Sequence, residues 1–365
     1  MPVPIPRSRG ILLLLAVVAA LLMISALSAS AMAANGAVYT QTNDPSGNTV
    51  QQFTRAADGS LSPAATFPTG GAGLATLGGR QGAVALSGDG RSLYAVNAGS
   101  DSVSAFRVGH RTELAGTAPS GGVAPTSVAE DHGRVYVLNS GGAPNVVAFS
   151  QRPDGTLEPI PGGARDLAAG AAGAAQVSVT PDGRSLVVSE RLSNRLETLP
   201  LDRSGRPGAP VVTASSGAVP FGFGVTRRGT VVVSEAGAST VSSYRPGNDG
   251  ALRTVTTSLG VGRGAACWVA VSPSGRFAYT GNASGSISGF AIGRDGALSA
   301  LDTTVLVPSP RDLAFDRSGR FLSVVSPGTA TAGGRVTSYR VGRDGSLTPA
   351  GTVPAAAGIT GAAVS

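Results

Sequence analysis

The sequence predicts an all-β protein, a single seven-bladed β-propeller built from four-stranded blades. Two short phrases recur along the chain, and its two ends supply complementary strands. A repeat whose period is in the high forties and that is made of strand-like pieces is typical of propeller blades, because each small sheet buries its faces only against its neighbours. We label the strands of one repeat A, B, C and D.

The first phrase marks strand C and the start of strand D. It contains an apolar residue, two spacers, usually an aromatic residue, a polar turn and often a leucine. Successive copies start 53, 43, 50, 45, 46 and 49 residues apart. The seven copies are Val50–Leu61, Val103–Leu114, Val146–Leu157, Leu196–Gly208, Val241–Leu252, Ile287–Leu298 and Val336–Leu347.

The second phrase marks strands A and B. In Ser87–Asn97 and five similar segments, two apolar runs flank a turn that is usually D-G-R, H-G-R or S-G-R. This pattern predicts a hairpin whose glycine has a positive φ angle. The glycines concerned are Gly90, Gly133, Gly183, Gly275 and Gly319.

The two ends of the chain predict how the ring closes. Gly36–Asn43 matches strand B with no strand A before it, and Ile359–Ser365 matches strand A with nothing after it. Pairing the two segments in one blade removes the open sheet edges that otherwise favour aggregation.

Residues 1–33 have the pattern of a secretory signal, which leaves residues 34–365 for the propeller. Arg7 and Arg9 precede the apolar stretch Ile11–Ile24, and Ala31–Ala33 is a small-x-small cleavage site. We therefore expect a secreted protein with no membrane association after cleavage. A monomer is also expected. An uncleaved anchor is the alternative interpretation.

Net charge is +7, from 28 arginines and no lysine against 21 acidic residues. The D-G-R turns concentrate arginine on the face formed by the A–B and C–D turns, mixed with aspartates. We therefore expect no nucleic-acid partner. The opposite face, formed by the B–C and D–A loops and called the mouth face below, is expected to be near-neutral or slightly acidic. Cys267 is the only cysteine, which predicts a small buried side chain and no disulfide.

The usual catalytic constellations are missing from the sequence. Both histidines, His110 and His132, fall in turns away from the mouth face, which argues against a histidine triad or zinc site. Gly260–Gly264 resembles a phosphate loop but is not followed by a helix pattern, so we interpret it as an ordinary loop. We expect neither a metal nor a cofactor.

Polar residues are expected to meet at the mouth of the central channel. The ends of strand B supply Asn43, Asn97, Asn139, Glu190, Glu235, Asn282 and Ser326, called the strand-end ring below. The starts of strand A add Gln81, Gln176, Phe221, Phe223, Trp268, Arg311 and Asp312. Such groups could bind a small polar or anionic molecule. Capping of neighbouring loops by the ring, and a core position for Trp268, are the structural alternatives.

The mature chain resembles the seven-bladed lactonase propellers, similar to 6-phosphogluconolactonase and carboxymuconate cyclase. The resemblance is carried by Thr180–Leu199 (TPDGRSLVVSERLSNRLETL), Pro220–Glu235 and Ala266–Asn282 (ACWVAVSPSGRFAYTGN). A family segment G-P-R-H-L-x-F corresponds to Pro310–Phe315, which keeps the arginine and has aspartate in place of histidine. Another segment, V-x-N-E, corresponds to Val187–Glu190 and keeps the glutamate.

Two functions are compatible with these residues. The resemblance implies an enzyme that hydrolyses or isomerises a lactone, with Glu190 or Glu235 as general base and Arg311 holding a carboxylate or oxyanion. The expected substrate-binding residues are Gln176, Asn282, Phe221, Trp268 and Asp312. Loss of the imidazoles favours the alternative, a non-enzymatic extracellular binding or scaffold propeller.

Overall fold

The computed structural model of the protein describes Met1 and residues 36–74 and 80–365, with only the backbone of Thr303. Within these residues the chain forms 28 strands and no helix, and the strands make seven four-stranded antiparallel sheets. The expected all-β, seven-bladed propeller is confirmed. The predicted signal sequence, apart from Met1, lies outside the described residues. No described helix has the length and apolar character needed to cross a membrane.

The strands, numbered β1 to β28 in chain order, occupy four positions in each blade, from A at the channel to D at the rim. Position A holds β4 (Val84–Leu86), β8 (Val123–Asp131), β12 (Ala174–Val179), β16 (Pro220–Val225), β20 (Ala266–Val271), β24 (Asp312–Phe315) and β28 (Thr360–Val364). Position B holds β1 (Gly36–Gln41), β5 (Ser92–Asn97), β9 (Arg134–Gly141), β13 (Ser185–Glu190), β17 (Val231–Glu235), β21 (Phe277–Asn282) and β25 (Phe321–Thr329).

The outer two positions follow the first phrase of the repeat. Position C holds β2 (Thr49–Arg55), β6 (Ser102–Val108), β10 (Asn145–Gln151), β14 (Arg195–Pro200), β18 (Thr240–Pro246), β22 (Ser286–Ile292) and β26 (Gly333–Val341). Position D holds β3 (Leu61–Pro68), β7 (Thr112–Pro119), β11 (Leu157–Asp166), β15 (Val211–Ala214), β19 (Leu252–Gly260), β23 (Leu298–Leu306) and β27 (Leu347–Ala355). Blades are numbered 1 to 7, beginning with the sheet that contains β1.

The A–B hairpins have the predicted turn geometry. The five turn glycines have φ between 67° and 79°. In the hairpin of blade 2, the Gly90 N–H donates to the Ser87 carbonyl at 2.8 Å, and Asp89 Oδ1 accepts from the Arg91 N–H at 2.9 Å. These short-range bonds set the register of strands A and B, and hence which residues begin and end at the mouth face.

The core lies between blades rather than inside one. Val241 and Val232 of blade 5 pack with Val269, Ala278 and Phe290 of blade 6, and all five side chains are buried. Equivalent clusters join other neighbouring blades. Because each blade buries its faces only against its neighbours, the whole ring is one cooperative unit.

The ring closes as the two chain ends predict. Strand β28 pairs antiparallel with β1, with Val364 opposite Val38, in the sheet order β28-β1-β2-β3. The Ala37 N–H donates to Ser365 Oγ at 2.8 Å, and the Ser365 N–H donates to the Ala37 carbonyl at 2.9 Å. Blade 1 is therefore completed only by the last strand of the chain.

Removal of residues 359–365 is expected to abolish cooperative unfolding and cause aggregation, because blade 1 loses its innermost strand and exposes the edge of β1. Thermal unfolding followed by circular dichroism, with light scattering for aggregation, measures both effects. A truncated protein that melts like the full chain would show that the closing strand is dispensable.

Candidate functional site

A cavity of about 160 Å³ lies where the channel opens on the mouth face. Six blades contribute to this mouth cavity. Its charged lining consists of Arg80, Arg191 and Arg311, and no carboxylate or histidine of the described residues lines it. Three like charges converge without a counter-ion from the protein, so the cavity favours an anionic or acceptor-rich molecule.

Two aromatic rings hold two of these arginines in place. The Arg191 guanidinium lies 5.2 Å from the ring centroid of Phe221, and that of Arg311 lies 5.3 Å from the Trp268 ring. The two rings meet edge to face, with centroids 5.8 Å apart. Phe221 and Trp268 begin the A strands of adjacent blades, so the fold places both cation–π pairs side by side.

Arg80 is the most buried of the three cations, with a relative exposure of 4%. Its Nη1 donates to the Pro125 carbonyl at 2.8 Å, whereas Nη2 is buried with no partner. Burial, with a smaller effect from Arg191, lowers the pKa of Arg80 to about 9, so it remains mainly protonated at neutral pH.

Trp268, which also lines the cavity, carries a second unpartnered donor. Its ring is 1% exposed, and Nε1 is buried with no hydrogen-bond acceptor. Leaving a buried donor unpaired costs about 1–3 kcal/mol. Trp268 and Arg80, which both line the cavity, therefore each carry a buried donor that the described residues leave unpaired.

Below the mouth cavity, two glutamines clamp the inner strands. Gln81 of blade 2 reaches across the channel to blade 6, where Oε1 accepts from the Val269 N–H at 2.9 Å and Nε2 donates to the Val269 carbonyl. A Cβ on Gly222 would lie 1.9 Å from Gln81 Oε1, so only glycine fits there. Gln176 makes the same two bonds to Phe223, at 2.7 and 2.9 Å.

Asp312 also lies below the mouth cavity. Its carboxyl accepts N–H groups from Leu313 at 2.7 Å, Ala362 at 2.9 Å and Gly82 at 3.4 Å, which joins blades 7, 1 and 2. Burial raises its pKa to about 8. Gln176 and Asp312, expected to bind substrate, are instead occupied by backbone groups in this structure.

The expected convergence of Glu190, Glu235 and Arg311 is not found. Glu190 is fully buried in blade 4, where it accepts from Arg195 Nε at 3.0 Å, Ser193 Oγ at 2.5 Å and the Ala172 N–H at 3.2 Å. These bonds hold the loop that leads into β12. The side chain points into its own blade, because neighbouring residues of a strand face opposite sides.

Glu235 has the same kind of environment in blade 5. Its carboxylate accepts from the Gly217 N–H at 2.7 Å, Thr240 Oγ1 at 2.5 Å and Ser242 Oγ at 2.7 Å. Asn282 likewise donates to Ser286 and Ser288 within blade 6. For these three members of the strand-end ring, the structure matches the loop-capping alternative.

Arg311, Phe221 and Trp268 line the cavity at the channel mouth as expected, and Trp268 is at the same time a core residue, which was the structural alternative. The expected site residues did not include Arg80 or Arg191. Both arginines are immediate sequence neighbours of residues that were expected at the site. Arg191 follows a member of the strand-end ring, and Arg80 stands before Gln81 as Arg311 stands before Asp312. Because alternate residues face opposite sides of a strand, the neighbours of the polar residues reach the cavity.

The charge at the mouth also departs from expectation. The predicted near-neutral mouth face has a cationic cavity at its centre, because the three arginines belong to different blades and meet only in the ring. Cys267 is buried as predicted, and burial raises its pKa to about 11. In the described ranges, no cluster of three or more His, Cys, Asp and Glu side chains could hold a metal ion.

The chain matches the profile of one protein family, described as "Lactonase, 7-bladed beta-propeller", over residues 46–160, 145–271 and 262–360. These matches cover most of the chain. The chain belongs to the seven-bladed lactonase propeller family. A comparison with curated proteins finds no match.

Solved structures share the fold of this lactonase propeller at low sequence identity. A candidate 6-phosphogluconolactonase from Bacteroides uniformis has a TM-score of 0.75 and 17% identity, covering 91% of this chain and 99% of its own. A second, from Bacteroides fragilis, has a TM-score of 0.71 and 17% identity, covering 91% and 98%. The Pseudomonas aeruginosa periplasmic gluconolactonase has a TM-score of 0.70 and 17% identity, covering 90% and 98%.

The stability of this lactonase propeller is expected to fall as pH rises from about 4 to 8. The raised pKa of Asp312 means that the folded state holds one more proton than the unfolded state across this range, so that acidic solution favours folding. The effect of one such group is at most about 1.4 kcal/mol per pH unit.

Denaturant unfolding between pH 5 and 8 measures this slope. Asp312→Asn should flatten it, and the remaining slope should come partly from Glu197, whose pKa is also raised to about 8 by burial and by Glu190. An identical slope in Asp312→Asn and wild type would contradict the assigned pKa.

Glu190→Gln is expected to reduce the free energy of unfolding by about 1–3 kcal/mol, because it removes the buried charged acceptor of Arg195 Nε, Ser193 Oγ and the Ala172 N–H. Glu113→Gln is the matched control, since Glu113 is exposed and lies 3.7 Å from an exposed Arg107. Denaturant unfolding measures both variants. Unchanged stability combined with lost lactone hydrolysis would instead support the general-base role predicted from sequence.

Proposed function

We propose that this protein hydrolyses a small sugar-acid lactone in the mouth cavity. The observation that carries the proposal is the meeting of Arg80, Arg191 and Arg311 around one cavity that no described carboxylate lines. Family membership supports the reaction class, and the names of the structural relatives, 6-phosphogluconolactonase and gluconolactonase, support the substrate class.

The chemistry follows from where negative charge develops. Water adds to the lactone carbonyl carbon, and the carbonyl oxygen becomes an oxyanion in the tetrahedral intermediate. The acyl–oxygen bond then breaks, the ring oxygen takes up a proton, and the product is a hydroxy acid that ionises to a carboxylate. Preformed guanidinium donors stabilise both the oxyanion and the carboxylate more than the neutral substrate, which lowers the barrier.

The cavity contains no described carboxylate or histidine that could act as a base, so the attacking water loses its proton to solvent. Electrostatic stabilisation therefore has to supply most of the rate increase. The same observation supports a second candidate function, an extracellular propeller that binds a small anion without converting it.

Export of the protein is part of the proposal. It is supported by the charged start, the apolar stretch Ile11–Ile24 and the small-x-small motif Ala31–Ala33. We propose a monomer with a small-molecule ligand and without a nucleic-acid partner, because the mouth cavity is too small for a polymer duplex and the outer arginines are interspersed with aspartates.

Arg311→Ala and Arg191→Ala are expected to lower kcat/KM for a sugar lactone by about a hundredfold, because each removes one oxyanion donor. Hydrolysis of glucono-δ-lactone and its 6-phosphate, followed by proton release, measures the effect. Arg227→Ala, which removes an exposed arginine from the opposite face, is the control and should keep wild-type activity.

Full activity in both mouth variants would contradict the proposed site. Binding of gluconate without turnover of any lactone, with binding lost in Arg311→Ala, would support the anion-binding propeller instead.

A further inference from the structure

A second cavity, of about 440 Å³, lies beside the mouth cavity on the same face. It is a groove between blades 7 and 1, lined by the segments 42–45, 327–330 and 357–360. Arg311 lines both cavities, so the two lie next to each other. A molecule held by Arg311 can therefore extend from the mouth cavity into the groove.

The size of the mouth cavity favours such an extension. At about 160 Å³ it is smaller than the pockets of about 300–1,000 Å³ that usually enclose small molecules, whereas the groove is within that range. A ligand that needs a pocket of the usual volume can bind only its head group in the mouth cavity, and the rest of the ligand has to lie outside that cavity.

One wall of the groove comes from an irregularity in blade 7. Strand β25 has nine residues, whereas β5, β13 and β21 have six each. Its pairing with β26 is interrupted after Ser326 and resumes with Thr329 opposite Gly333. The resulting longer hairpin carries Pro327 and Ala330 to the groove.

The opposite wall of the groove is the loop of residues 42–45 in blade 1, in which Asn43 has a positive φ of 54°. Its side chain donates to the Leu74 carbonyl at 2.9 Å and accepts from the Leu74 N–H at 3.0 Å. These bonds fix the loop that presents Pro45 and Asp44 to the groove. The groove is thus formed before a ligand binds.

The lining of the groove indicates the chemistry of its occupant. Pro45, Pro327 and Ala330 offer apolar surface, which suits the C–H face of a sugar ring. Asp44 Oδ1 accepts from Ser46, and Oδ2 has no hydrogen-bond partner among the described residues, so it can accept a sugar hydroxyl. Apart from Arg311, Asp44 is the only charged residue that lines the groove in the described part of the chain.

We infer that the groove is a second subsite, which binds an uncharged glycosyl substituent on a ligand whose sugar-acid head lies in the mouth cavity. The inference rests on the proposed function and adds the substrate class. The preferred substrate is a disaccharide lactone rather than a monosaccharide lactone.

The test compares two product-like acids, gluconate and its galactosyl derivative lactobionate, by isothermal titration calorimetry. Wild-type protein is expected to bind lactobionate about tenfold more tightly, equivalent to one decade in Kd. The ratio of the gluconate Kd to the lactobionate Kd should fall toward one in Ala330→Trp, which fills the groove, and in Asp44→Asn, which removes the carboxylate. Ala57→Trp, an exposed site on the opposite face, should keep the wild-type ratio.

Two results would overturn the inference, and they separate it from the proposed function. Gluconate binding that depends on Arg311, with equal affinity for lactobionate or with a ratio unchanged in both groove variants, would overturn the subsite alone. Absence of binding by either acid, or binding unaffected by Arg311→Ala, would overturn the mouth cavity as the sugar-acid site and the subsite with it.

Discussion

Pairing of the last strand with the first blade is the contact on which the rest of the structure depends. No blade buries both faces by itself, so β28 has to join β1 before the seven interfaces can form. Asp312 extends the closure inward, because its carboxyl holds backbone groups of two further blades. The candidate site is a consequence of closure, since Arg80, Arg191 and Arg311 come from blades 2, 4 and 7 and meet only in a complete ring.

Polar residues near the channel divide into two sets with different roles. Glu190 and Glu235 turn into their own blades and satisfy loop N–H and hydroxyl groups, which is what a fully buried carboxylate requires. Gln81 clamps the backbone of a distant strand below the cavity. With these groups occupied by the protein, the arginines are left to face a ligand, and the site differs from one built around carboxylates.

The mouth cavity is lined by cations and, among the described residues, by no carboxylate or histidine that could transfer a proton. Cation–π contacts with Phe221 and Trp268 hold two guanidinium groups without neutralising them. A carboxylate at the same place would have cancelled their charge. The groove beside Arg311 lies on one side of the channel only, between blades 7 and 1. The seven blades are therefore not equivalent around the mouth cavity.

The sequence by itself determined the fold, the number of blades, the hairpin turns and the closing strand, because each depends on short-range patterns such as the D-G-R turn at Gly90 and on a repeat that is visible in one dimension. It also placed Arg311, Phe221 and Trp268 at the channel. Only the tertiary structure decided which neighbour of each polar residue faces the cavity. Arg80 and Trp268 lie far apart in the chain, and they line one cavity only because the blades are joined in a ring.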